Sequence, residues 1–180
     1  DDVTGRTYDR VAPLVRNDCA LYASHLPLDG HPELGNAAGV ADLLGLEARE
    51  PFGSLGPETV GLAGRLPEAR SAAALASALA DGTEGDRGVD VLDFGPTDLR
   101  DVAVVTGSGT DWLDEAVASG ADALVTGEGK GKVYHRAREA GITVLLAGHY
   151  ATETFGVRRL AALVDEWGPE TTYLPHPTGL

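Results

Sequence analysis

Three apolar runs, each closing on a glycine turn that opens into a helical pattern, constrain this chain more than any other feature. Val102–Val105 ends in Thr106-Gly107-Ser108-Gly109 and leads into the amphipathic stretch Asp111–Ser119. Ala123–Val125 ends in Thr126-Gly127-Glu128-Gly129 ahead of Val133–Ala140, and Ile142–Ala147 ends in Gly148-His149 ahead of a last helix over roughly Thr152–Trp167. Strand, tight turn and helix in series predict a parallel sheet with right-handed crossovers. The repeated V-T-G-x-G is an internal β–α duplication, too short to be a solenoid period. Neither copy carries a G-K-[ST] or a full G-x-G-x-x-G, so these glycines read chiefly as turn formers whose amides are free to face a ligand.

The first half is less regular. Thr7–Arg16 suits a short helix and Ala20–Ala23 a strand, followed by His25-Leu26-Pro27-Leu28-Asp29-Gly30-His31-Pro32. Pro27 and Pro32 argue against regular structure between them. Glu33–Leu44 has an apolar stripe and Gly45 closes it. Val60–Leu66 suits a strand, Pro67 the start of the Ala-rich helix Glu68–Ala80, Asp81–Gly88 a loop, and Val89–Phe94 another strand. The architecture expected is mixed α/β, with no long linker.

His149 and Glu153 stand four apart at the last strand–helix junction, so a helix beginning there puts both on one face. In open α/β sheets ligands bind where strands end and helices begin, and an imidazole with a carboxylate suits a divalent metal. The plain alternative is a surface pair near a helix N-terminus, where a carboxylate is favoured in any case. The second constellation is His25-x-x-x-Asp29-x-His31, ligand-capable side chains in a loop after an apolar run. Its alternative is hydrogen bonding: an Asx-turn at Asp29 and a solvated His31. Asp122 and Glu128 flank the repeated turn and read as groups behind a site or as solvated carboxylates. His135 reads as a surface histidine and His176 carries no signal.

Charge bears on partners. With 28 acidic residues against 14 basic ones, the net charge of −14 argues against nucleic acid and anionic membranes as partners. Dispersed acid with Arg in place of Lys suits a salt-rich, halophilic cytoplasm, where salt screens self-repulsion. No apolar run approaches a membrane span, and Asp1-Asp2 opens no signal-peptide pattern. The single Cys19 forms no internal disulfide, which fits a reducing compartment, and it reads as a small core residue.

Three ordered segments carry a resemblance. They are Tyr22-Ala-Ser-His25-Leu-Pro-Leu-Asp29-Gly-His31-Pro-Glu-Leu-Gly-Asn36, Gly120-Ala-Asp122-Ala-Leu-Val-Thr-Gly127-Glu128, and Ala147-Gly-His149-Tyr-Ala-Thr-Glu153. Together they resemble the NIF-three-like family of dinuclear-metal proteins, known as GTP cyclohydrolase I type 2 homologues, in its short, single-domain branch. The resemblance implies an α/β fold with a mixed sheet flanked by helices in two related lobes, over a single domain 1–180. It implies two divalent ions (Zn, Mn, Fe or Co) held by Asp29, His149 and Glu153, with Glu153 bridging. His25 then acts in catalysis, as a proton-transfer group or a further ligand. It also implies a homo-hexamer and metal-dependent hydrolysis of a small, nucleotide-like substrate; the alternative is a metal-binding assembly protein with a regulatory or chaperone-like role. The family's adjacent His-His ligand pair is absent from the 180 residues. With no methionine either, the expectation is an N-terminally incomplete chain.

Overall fold

The computed structural model describes residues 2–85 and 88–178. Its core is one six-stranded mixed sheet in the order β1-β2-β4-β5-β6-β3. The strands are β1 (Glu47–Leu55), β2 (Glu58–Arg70), β3 (Asp90–Leu92), β4 (Leu99–Val104), β5 (Ala123–Thr126) and β6 (Thr143–Leu146). The three predicted β–α units form the parallel centre, with Val102, Ala103 and Val104 opposite Ala123, Leu124 and Val125, and β5 in turn on β6. β1 and β2 form an antiparallel hairpin, β2 runs antiparallel to β4, and β3 closes the far edge antiparallel to β6. All six strands thus join in a single mixed sheet flanked by helices, the α/β class that the resemblance implied.

Period-two alternation sorts the side chains of the central strands onto two faces. Val102, Val104 and Val125 pack with Ala37, Val40, Leu75 and Leu79 from the helices α3 (Asn36–Leu44) and α4 (Ala72–Gly82). Ala103, Val105 and Leu124 face the other way, against α5 (Leu113–Ser119) and α6 (Lys132–Ala140), through Leu113, Ala116, Val133 and Ala137. Both faces are covered, as short apolar parallel strands require. The last segment packs beside α3 as α7 (His149–Thr152) and α8 (Phe155–Glu166), which break at Glu153 instead of running as one helix.

Several expectations are corrected. β1 went unread because Glu47-Ala-Arg-Glu-Pro-Phe-Gly-Ser-Leu55 is charged and contains Pro51; it is an edge strand, where proline is tolerated. β2 continues through Pro67 to Arg70, so α4 starts at Ala72 and not at Glu68. Pro67 falls in the register shift between Arg65 and Arg70, where its missing N–H costs no ladder bond, and its carbonyl accepts from Arg100 Nη2 at 2.6 Å. Ser71 caps α4 by accepting from the Ala74 N–H. Pro27 sits in the first turn of α2 (Leu26–Asp29), where its lack of a donor is harmless, so the segment is helical after all. α3 begins at Asn36 and not at Glu33. The loop Asp81–Gly88 includes 86 and 87, which lie outside the described residues.

The N-terminal segment departs most. α1 (Gly5–Arg16) has no buried residue, and Ala20–Ala23 is exposed and not a strand. A strand exists only in a ladder, and among the described residues none pairs with it. Cys19 is exposed, not core. No described helix is long and apolar enough to cross a membrane.

Candidate metal centre

The parallel strands β4, β5 and β6 end on one side of the sheet, and their turns carry the candidate residues. Gly148 ends the β6 run at φ +92 and starts α7, so His149 is the first residue of that helix and Glu153 its C-terminal cap. The four-residue spacing survives the helix break: His149 Nε2 lies 3.3 Å from Glu153 Oε1. On the other side α2 presents Asp29 at its last position, with His25 as its N-cap, and His25 Nε2 lies 3.6 Å from Asp29 Oδ2. The Cys19–Ser24 approach leaves the His25 side chain 77% exposed while Asp29 is buried.

These two halves meet. One donor atom each from His25, Asp29 and Glu153 lies within 4.8 Å of the others, a spread that a divalent ion can span. A cavity of about 180 Å³ opens between them, lined by His25, Asp29, His149 and Glu153, with Val60 and Trp112 as an apolar wall. The expected set was Asp29, His149 and Glu153, with His25 in the same site as a proton-transfer group or a further ligand. The tightest group is His25, Asp29 and Glu153, and His149 lines the same cavity with its Nε2 3.3 Å from Glu153 Oε1. Of the remaining sequence candidates, His31 stands outside the cluster, its Nδ1 accepting from the Glu33 and Leu34 amides at 3.2 and 3.0 Å. Asp122 lies at the opposite end of the sheet, capping the Arg100 and Asp101 amides. His135 is exposed against Tyr134, and His176 meets Tyr150 Oη through its own backbone N–H.

Asn36 was missed as a functional residue. Its Nδ2 donates to Asp29 Oδ1 at 2.7 Å, while its Oδ1 accepts from the Gly156 N–H at 2.6 Å. One amide therefore ties the Asp29 carboxylate to the start of α8, and it is only 4% exposed. A polar residue opening the apolar run 37–41 was the available signal. Thr152, fully buried, was missed as well: its Oγ1 accepts from the Gly107 N–H and lies 3.0 Å from Gly148 O. Gly107 thus spends its amide inside the fold and offers none to a ligand. Glu128, read as a group behind a site or a solvated carboxylate, reaches His149 Nδ1 at 3.0 Å.

The electrostatics favour a cation. Among the described residues, the ion pairs of Asp29, Glu128 and Glu153 are with histidines alone. Burial pushes the Glu153 carboxyl above its ordinary 4.5; attraction to His149 and His25 opposes that rise, and repulsion from Asp29 adds to it. Carboxylates and imidazoles around one cavity form a mixed oxygen–nitrogen donor set, which suits Zn, Mn, Fe or Co better than an all-oxygen calcium site.

Comparison with known proteins places the chain in a family and a fold. A family model described as Duf34/NIF3 (NGG1p interacting factor 3) matches residues 1–175. A Halobacterium salinarum protein described as a GTP cyclohydrolase 1 type 2 homolog is 66% identical over 181 residues, which is all of this chain and 72% of that protein. The solved structure of protein ybgI, described as of unknown function, superposes with a TM-score of 0.83 at 34% identity, over 99% of this chain and 70% of the other. A crystal structure of a Thermus thermophilus protein superposes with a TM-score of 0.82 at 36% identity, over 100% and 70%. The chain belongs to the Duf34/NIF3 family.

Proposed function

We propose that this chain binds divalent metal between α2 and the α7–α8 junction and uses it to hydrolyse a small, nucleotide-like substrate. The observation that carries the reading is the meeting of a buried Asp29 with Glu153 and His25, their donor atoms within 4.8 Å and no Lys or Arg paired to either carboxylate among the described residues. Uncompensated buried carboxylates are costly, and a cation removes the cost. Two ions would be held by Asp29, His149 and Glu153, with His25 beside them. A bound divalent cation supplies charge that lowers the pKa of water toward neutrality and stabilises negative charge as it develops.

The chain's own residues then divide the work. Asp29, fixed by Asn36, and Glu153, fixed by the α7–α8 break, hold position. His25 faces solvent on one side and Asp29 on the other, so its Nε2 is placed to carry a proton between the site and bulk water. Trp112, whose Nε1 donates to Ser54 O at 3.2 Å, and Val60 keep one wall dry. The name carried by the Halobacterium salinarum relative supports a guanine nucleotide as the first substrate to try. A homo-hexamer working in a salt-rich cytoplasm belongs to the same reading.

The test is turnover. Protein loaded with Zn(II), Mn(II), Fe(II) or Co(II) is incubated with GTP and with generic phosphoesters. Metal-dependent product is expected from the wild type, and Asp29→Ala should fall to the metal-free level. Turnover without added metal, or equal turnover in Asp29→Ala, would overturn the hydrolase reading.

A further inference from the structure

We propose that Glu128 is the positioning residue for His149, holding the imidazole in the tautomer that turns an unprotonated Nε2 toward Glu153. The proposal rests on the metal reading above and extends it to a residue outside the ligand set.

A carboxylate accepts hydrogen bonds and donates none, so at 3.0 Å from Glu128 Oε1 the neutral His149 ring carries its one proton on Nδ1 and keeps the lone pair on Nε2. That lone pair faces Glu153 Oε1, a second acceptor, at 3.3 Å. Two acceptors at this separation repel each other unless a cation or a proton stands between them. Glu128 therefore turns the His149–Glu153 pair into a seat for positive charge. Metal-binding imidazoles generally donate their other N–H to a carboxylate in this way, which fixes the ring and raises its basicity.

The backbone is built for the contact. The Gly127 and Glu128 amides both donate to Gly107 O at 2.9 Å, and the Gly148 amide donates to Gly127 O at 2.8 Å. These bonds lash the turn after β5 to its neighbours on both sides. A Cβ on Gly127 would sit 2.7 Å from His149 Cα, so only glycine there lets the turn approach α7 closely enough for the next side chain to reach the ring. Both partners are partly exposed, at 36% and 43%, so the link serves orientation more than stability.

The test uses metal-stripped protein with His149 neutral. Long-range nitrogen–proton correlation spectra of the ring report its tautomer, and calorimetric titration with Zn(II) reports affinity. The wild type should hold the Nδ1–H form. Glu128→Ala should shift the ring toward the Nε2–H form favoured in free imidazole and weaken Zn(II) binding by ~10–100-fold. Glu128→Gln, whose amide oxygen still accepts from Nδ1, should restore the tautomer and part of the affinity. An unchanged tautomer in Glu128→Ala would overturn the proposal. A tautomer that depends on Glu128 in a protein that binds no Zn(II) would uphold the positioning role and sink the metal reading instead.

Discussion

Gly107→Ala should weaken metal binding by ~100-fold and lower the thermal midpoint as well. The added Cβ would lie 2.2 Å from Glu153 Oε1 and 2.9 Å from His149 Nε2, so the carboxylate and the ring must both give way. Gly107 also sits at φ +62, a left-handed conformation that costs a residue with a Cβ ~1–2 kcal/mol. In a domain of this size that strain corresponds to roughly 2–8 °C. Gly120→Ala separates the two effects. Gly120 caps α5 at φ +80 with open space where its Cβ would go, so the alanine there meets the same strain and touches no donor. Melting curves and Mn(II) or Zn(II) titrations of both variants give the comparison. Both should lose stability, and only Gly107→Ala should lose metal. Equal metal affinity in the two variants would place the site elsewhere.

Glu153→Gln should make the metal-free protein more stable at neutral pH and abolish its response to metal. The Glu153 carboxyl titrates above 4.5 in the folded chain, chiefly because burial disfavours its charge. Between the unfolded value and that raised value the folded state binds more proton than the unfolded one, so stability falls as pH rises through the window. The penalty is then fully present at neutral pH, and it is absent below the ordinary value. Glutamine carries no charge to penalise. The variant should therefore melt higher than the wild type at pH 7 without metal, and the difference should vanish below about 4.5. Metal reverses the order: at a hundredfold excess over Kd it adds about 2.7 kcal/mol to whatever binds it, roughly 5–10 °C here. Only the wild type should gain that. Melting curves against pH, with and without Zn(II), check both halves.

Much of the parallel centre was legible because its strands obey one rule. Val102–Val105, Ala123–Val125 and Ile142–Ala147 are covered on both faces, so they read as plain apolar runs ended by glycine. β1 escaped because an edge strand buries little: of its nine residues only Phe52 and Gly53 are buried, and its charges and Pro51 mimic a loop. Ala20–Ala23 failed for the reverse reason. It has the side chains of a strand, but pairing is a property of two segments and cannot be read from one. At the site, the fourfold spacings His25/Asp29 and His149/Glu153 were visible because each pair is local in sequence. That the two pairs meet across more than a hundred residues was supplied by resemblance and not by spacing. Asn36 and Glu128 were harder still, since each acts by a contact with a side chain that only the fold brings near.

The central claim is that the α2 and α7–α8 donors hold metal. Metal-stripped protein titrated calorimetrically with Zn(II) or Mn(II), then desalted and assayed for bound metal, tests it most directly. The account predicts saturable binding of at least one ion per chain, lost in both Asp29→Ala and Glu153→Gln. Absence of stoichiometric metal in the wild type, or the same uptake in those two variants, would contradict it.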